Sequence, residues 1–223
     1  MNEFNIINFK SEPKNNFFAP EWNYFLCESY INDIDFNKLT KFLLIKEKEI
    51  KKIPLKIREN GKLYDGYTGL NDKSTTVRFT EYNIFNFKNK QIDNIKHNII
   101  KIHNNFLNKL NLPIPNKLYI QSWFNVMRKG EQIKPHIHAV IPDSYLGGNI
   151  CVKCSNTSTI YINPVNQINE PELYSSKNEV GKITLFQECI PHYTDIHNGE
   201  EERITIAFDL SLKKLTSNYI KLL

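Results

Sequence analysis

Gln121–Ala139 reads QSWFNVMRKGEQIKPHIHA, and its reading decides the fold. With Leu118, Tyr119 and Ile120 before it, the first half is rich in aromatic and apolar residues, which is the texture of a strand running from Leu118 to Arg128. In the second half Pro135 disfavours helix at the residue before it, so the following His-x-His is extended. Residues i and i+2 of an extended segment share a face. His136 and His138 therefore present two imidazoles side by side, in reach of one metal ion. Taken alone the pair is a weak signal, since surface histidines in a turn give the same pattern.

Working toward the C-terminus, further short β-rich runs occur at Gly148–Lys153, Thr157–Asn163, Lys182–Gln187 and Arg203–Leu210. Their spacing predicts an antiparallel sandwich or barrel. In GKITLFQECIPHYT (181–194) a glycine turn precedes the apolar strand Ile183–Phe186, whose end delivers a third imidazole, His192. In EERITIAFDL (201–210), Arg203, Thr205 and Ala207 share one face, and Ile204, Ile206 and Phe208 the other. One face looks toward a site and the other toward apolar packing. An arginine on a core-facing position is costly unless an anion meets it, and its guanidinium fork matches a carboxylate. The competing assignment is a structural ion pair with Asp195 or Glu188.

Toward the N-terminus the pattern changes. Residues 1–20 form a polar, extended lead-in broken by Pro13 and Pro20, followed by a short strand over Tyr24–Tyr30 at a sheet edge. Phe36, Leu39, Phe42, Leu43, Ile45 and Ile50 recur at helical spacing behind Asp35, a candidate N-cap, and Pro54 ends that helix. Residues 56–80, rich in Gly, Asn, Asp and Ser, read as a surface loop long enough to act as a lid, or as a disordered connector. Ile92, Ile95, Ile99, Ile102, Phe106 and Leu110 mark a second helix between Phe87 and Leu112. His97 and His103 lie in it six apart, off the i, i+4 relation that lets helical histidines share a metal. The expected organisation is a strand and helix support over 1–112, a β core over 113–215 and a tail over 216–223.

Composition bounds the function. The 223 residues suit one domain with a real core, and 40% apolar with 24% charged residues is ordinary for a globular chain. The net charge of +5 is spread among alternating lysines and glutamates such as Lys46, Glu47, Lys48 and Glu49, which disfavours nucleic acid as a partner. The N-terminus does not resemble a signal peptide and no apolar run approaches bilayer length, so a cytoplasmic protein without a membrane partner is expected. Four cysteines, Cys27, Cys151, Cys154 and Cys189, are too scattered for a disulfide framework.

The order His-x-His, a downstream strand-borne His, then Arg-x-Thr resembles the iron(II) and 2-oxoglutarate-dependent oxygenases. QSWFNVMRKGEQIKPHIHA, SYLGGNICVK, STIYINP, GKITLFQECIPHYT and EERITIAFDL are more closely similar to the 2-oxoglutarate oxygenases common in phages and marine bacteria. The likeness spans about residues 118–210. It implies a mainly β fold with supporting helices: a double-stranded β-helix (jelly-roll, cupin-like) core with the N-terminal helices packed on its outer sheet. It implies Fe(II), 2-oxoglutarate and O2, and hydroxylation of a small-molecule or peptide substrate with release of succinate and CO2. Residue by residue, His136 becomes the first metal ligand, His138 occupies the position usually held by Asp or Glu, and His192 is the distal ligand. Arg203 would bind the remote carboxylate of 2-oxoglutarate with help from Thr205, and Asn125 and Asn149 would line the same pocket.

The imidazole at the carboxylate position leaves three ligand sets open. His138 ligates, as strand geometry favours; or His136 and His192 ligate alone; or His138 is the first ligand and Val140 leaves the carboxylate position vacant for halide. Asp143, in PDSYLGG, reads as a turn residue rather than the missing carboxylate. Cys151 and Cys154 should point to opposite faces of a strand and be inert. Trp123, Phe124, Tyr145, Tyr161 and Phe186 read as core, with one or two walling the pocket. Two other functions fit the same pattern: a three-histidine cupin-type dioxygenase without 2-oxoglutarate, and a non-catalytic jelly-roll binding module.

Overall fold

The computed structural model describes residues 4–165 and 169–223. Among the described residues ten strands form two sheets: β1 (Asn5–Lys10), β2 (Asn23–Tyr30), β3 (Tyr119–Met127), β4 (Leu146–Lys153), β5 (Ser158–Ile162), β6 (Leu173–Lys177), β7 (Lys182–Gln187), β8 (His192–Thr194), β9 (Arg203–Ser211) and β10 (Ile220–Lys221). The larger sheet runs in the order β1-β2-β7-β4-β9-β3-β10, and the smaller one β6-β5-β8. Every pairing is antiparallel. This is the double-stranded β-helix that the motif order implies.

Two helices, α1 (Phe36–Ile50) and α2 (Lys90–Lys109), form where the periodicity places them. The Asp35 carboxylate accepts from the backbone N–H of Lys38, and the Asn89 side chain accepts from that of Gln91, so each helix has a satisfied N-cap. Leu39, Leu43 and Ile50 of α1 and Ile92, Ile95, Ile99, Ile102 and Phe106 of α2 are buried in one cluster with Ile150, Leu185, Ile204, Ile206 and Phe208. The helices thus cover one face of the large sheet. A large-to-alanine change there, such as Ile99→Ala, costs about 2–5 kcal/mol. The other face of β9 is left to Arg203, Thr205 and Ala207, as the alternation predicts.

Several features differ from the sequence reading. β1 forms inside the supposedly irregular lead-in and pairs with β2 from Asn5↔Glu28 to Lys10↔Asn23. The edge strand is therefore β1, and β2 lies inside the sheet against β7. Strands from both sides of residue 113 share the large sheet, and Ile220–Lys221 pairs with β3 at its far edge. Glu28 of β2 ties the two sheets together: it accepts from the Tyr174 hydroxyl at 2.9 Å and from the Ser176 hydroxyl, both on β6.

The segment 56–80 is tied down at its C-terminal end. Ser74, Thr75, Thr76, Val77 and Arg78 are buried. The Thr75 hydroxyl donates to the Phe124 carbonyl at 2.5 Å, and the Thr76 hydroxyl donates to the Asn125 side chain. The Arg78 guanidinium donates to the carbonyls of Ile53, Asp72 and Ser74 at 2.7, 2.9 and 3.1 Å. Just past the C-terminal end of β3, Arg128 grips Glu47 of α1 through two bonds of 2.8 and 2.9 Å, fixing the helix to the sheet.

Candidate metal centre

His136, His138 and His192 converge. Each offers one ring nitrogen, and these atoms all lie within 4.8 Å of one another. His136 and His192 exchange backbone bonds, His136 N–H to the His192 carbonyl at 3.1 Å and the reverse at 3.0 Å. The extended His-x-His is therefore an isolated bridge against the first residue of β8, and this pairing delivers the third imidazole. The rings of His136 and His192 lie 4.4 Å apart between centroids. Phe186 packs on His192 at 4.5 Å, and Tyr161 stacks on it at 5.6 Å.

The ring tautomers follow from the partners. Nδ1 of His136 meets the Lys134 carbonyl at 2.8 Å, and Nδ1 of His192 meets the Ile190 carbonyl at 3.1 Å. A carbonyl can only accept, so both rings carry hydrogen on Nδ1 and keep an Nε2 lone pair. Nδ1 of His138 bonds to the Asp209 carboxylate, which selects the same tautomer. Three Nε2 lone pairs thus remain for a shared ion, the donor set that a divalent transition metal takes.

Burial, reinforced by the neighbouring His138, lowers His136 to about 4. Burial and the other two histidines hold His192 well below its ordinary value. Both are uncharged at neutral pH, as ligands must be. Burial acts on His138 in the same direction, but the charge and hydrogen bond of Asp209 outweigh it and raise the ring's pKa.

The cavity beside the triad is lined by Trp123, Asn125, Asn149, Phe186, Arg203 and Thr205, among others. Arg203 is 1% exposed. Its Nη2 approaches the Thr159 hydroxyl at 3.5 Å, while Nε and Nη1 have no hydrogen-bond partner. Neither acid considered as a structural partner takes it up: Asp195 accepts from the Ser158 backbone at 2.7 Å and Glu188 from that of Tyr145 at 3.2 Å. Among the described residues no ion pair includes Arg203. A buried guanidinium with two orphaned nitrogens is costly, and a carboxylate in the cavity removes that cost.

The other sequence candidates fall into place around this centre. Asn125 donates to the Thr205 hydroxyl at 3.3 Å, and Asn149 to the Tyr161 hydroxyl at 2.8 Å, so each lines the cavity while already engaged. Asp143 pairs with Lys213 at 2.7 Å and Val140 is 71% exposed, and neither lines the cavity. His97 and His103 bond to the Asp93 carbonyl and the Tyr145 hydroxyl, each at 2.8 Å. Cys151 is buried and the Cys154 thiol donates to the Asn178 carbonyl at 3.4 Å, beside a bulge where the β4–β9 register shifts between Cys151 and Lys153. Asp209, the carboxylate behind His138, was not anticipated, although it continues the period-two face of Arg203, Thr205 and Ala207.

Residues 121–209 match a family model described as "Putative 2OG-Fe(II) oxygenase". The matched segment contains all three histidines and Arg203, so the motif likeness and the family model agree. The cofactors of that class are iron(II), 2-oxoglutarate and dioxygen. No curated protein gives a significant match. Solved structures similar in fold include AviO1 from Streptomyces viridochromogenes Tue57, at 10% identity and a TM-score of 0.53, covering 83% of this chain and 89% of that one. A prolyl hydroxylase from Trichoplax adhaerens, solved with a hypoxia inducible factor peptide fragment, gives 11%, 0.52, and 83% of each chain. The non-heme alpha ketoglutarate dependent carbocyclase SnoK from nogalamycin biosynthesis gives 9% and 0.52, covering 83% of this chain and 79% of that one. At such identities the likeness speaks for the fold alone. Among the described residues no helix is long and apolar enough to cross a membrane.

Proposed function

We propose that this protein is a non-haem Fe(II) and 2-oxoglutarate-dependent oxygenase that hydroxylates a small-molecule or peptide substrate. His136, His138 and His192 would hold the metal through Nε2. The observation that carries the reading is Arg203, a buried guanidinium with two unpaired nitrogens in the cavity that the triad borders. That arrangement fits the far carboxylate of a dicarboxylic acid whose other end reaches the metal.

When bound, iron(II) supplies the redox centre at which dioxygen and 2-oxoglutarate become succinate and CO2 while a substrate C–H becomes C–OH. The protein's part is placement and exclusion of water. Arg203 and the Thr205 hydroxyl orient the co-substrate. Asn125 holds Thr205 in place and links it to Thr76 of the 56–80 segment. Trp123 and Phe186 supply apolar walls. Asp65, Gly66, Thr68 and Phe79 border a second hollow that shares His136, His138 and Trp123 with the first, which makes the 56–80 segment the candidate lid over the substrate.

The deciding experiment is an anaerobic Fe(II) titration with and without 2-oxoglutarate, followed by the visible charge-transfer band and by succinate release in air. A band that needs both components, and succinate formed only in their presence, is the expected result. Neither band nor succinate would refute the proposal.

A further inference from the structure

Three neutral imidazoles leave a divalent ion with a full double charge, whereas two imidazoles and a carboxylate remove one unit of it. The chain lacks a carboxylate within the ligand triad, yet one stands directly behind it. Asp209 follows Arg203, Thr205 and Ala207 along the inward face of β9 and bonds through Oδ1 to Nδ1 of His138. Both side chains are sheltered, His138 at 7% and Asp209 at 17% exposure. The contact differs from those of the other two rings, whose Nδ1 atoms rest on backbone carbonyls.

The surroundings are shaped to this contact. Gly147 is the cross-strand partner of Asp209, and a Cβ there would lie 2.9 Å from Nδ1 of His138. Trp123 and Phe186 flank the imidazole at 5.9 and 5.3 Å, limiting its rotation.

We propose that Asp209 is a positioning residue for the metal centre: its carboxylate holds His138 with Nε2 toward the ion and restores, one residue back from the metal, the anion that a direct carboxylate ligand would have supplied. The inference rests on reading the three histidines as metal ligands. Carboxylates behind metal-bound histidines orient the ring and raise its basicity, and their loss costs about 10- to 100-fold in metal affinity or activity.

The test is a Co(II) titration of the full chain, read by the visible d–d bands, for the wild type, Asp209→Asn, His138→Asp and the double variant. Asp209→Asn should weaken Co(II) binding by about 10- to 100-fold. In the His138→Asp background the same change should improve binding, because two adjacent carboxylates no longer repel. Unchanged affinity in Asp209→Asn, or an equal loss in both backgrounds, overturns the proposal. Wild-type protein that binds no Co(II) overturns the metal-centre reading on which it rests. Should Asp209→Asn fail to keep its fold by circular dichroism, nitrogen-resolved imidazole NMR of the metal-free wild type decides instead. A hydrogen on Nδ1 of His138 is expected, and a hydrogen on Nε2 overturns the assignment.

Discussion

Gly147 and His138 approach so closely that an added Cβ would stand 2.9 Å from the ring's Nδ1. The neighbouring Gly148 faces the other way, where a Cβ would come within 2.3 Å of Phe208. Overpacking of either kind costs about 1–3 kcal/mol, but only the first displaces a ligand candidate. Gly147→Ala should therefore lose at least about tenfold in metal affinity. Gly148→Ala should lower the melting temperature and leave affinity in the folded fraction unchanged. Metal titrations beside thermal melts separate the two, and equal metal affinity in both variants contradicts the assignment.

Arg203 predicts an opposition between binding and stability. Two of its nitrogens are buried without partners, and replacing an unsatisfied polar group by an apolar one of similar length recovers about 1–3 kcal/mol. Arg203→Met should raise the stability of the co-substrate-free protein in urea unfolding and abolish measurable 2-oxoglutarate binding by calorimetry. A destabilised variant that still binds 2-oxoglutarate would show that the guanidinium is structural.

Glu188 gives a pH dependence. Burial, aided by the charge of Asp209, raises this carboxyl to about 7, above its unfolded value of about 4.3. A raised folded pKa means the native state binds more protons, so the contribution is fully present below the unfolded value and is lost as pH rises through about 7. Glu188→Gln should melt higher than wild type at pH ~8, with the difference shrinking toward pH ~4. A constant difference across that range would mean Glu188 does not titrate this way.

Thr76 joins the 56–80 segment to Asn125. Thr76→Val removes that bond and should cost about 1 kcal/mol of stability. Limited proteolysis should then cut faster within the segment while the β core stays intact. Unaltered cleavage would show that Thr75 and Arg78 anchor the segment without it.

Much of this was legible because periodicity is a local property. The isoleucines of α2 and the alternation of Arg203, Thr205 and Ala207 with Ile204, Ile206 and Phe208 state which faces are apolar before any contact is known. What escaped depends on partners far along the chain. β8 and β10 have three and two residues, too short to show a period. β1 hides among asparagines, and its strand character comes from pairing with β2. The bulge between Cys151 and Lys153 appears only in the pairing of β4 with β9. Asp209 lies 71 residues from His138, so its partner was not readable, although extending the face of Arg203 by one more alternate step reaches it.

β9 carries Arg203 at one end and Asp209 near the other, on a single face between β3 and β4. At about 3.3 Å per residue the six steps between them span about 20 Å, so the strand works as a ruler laid along the cavity, with one mark for each end of whatever lies between. Neighbours hydrogen-bonded on both sides hold the ruler still. A one-residue insertion between the marks would turn one of the two side chains into the helix-packed core, and a two-residue insertion would keep both facing inward but lengthen the gauge by about 7 Å.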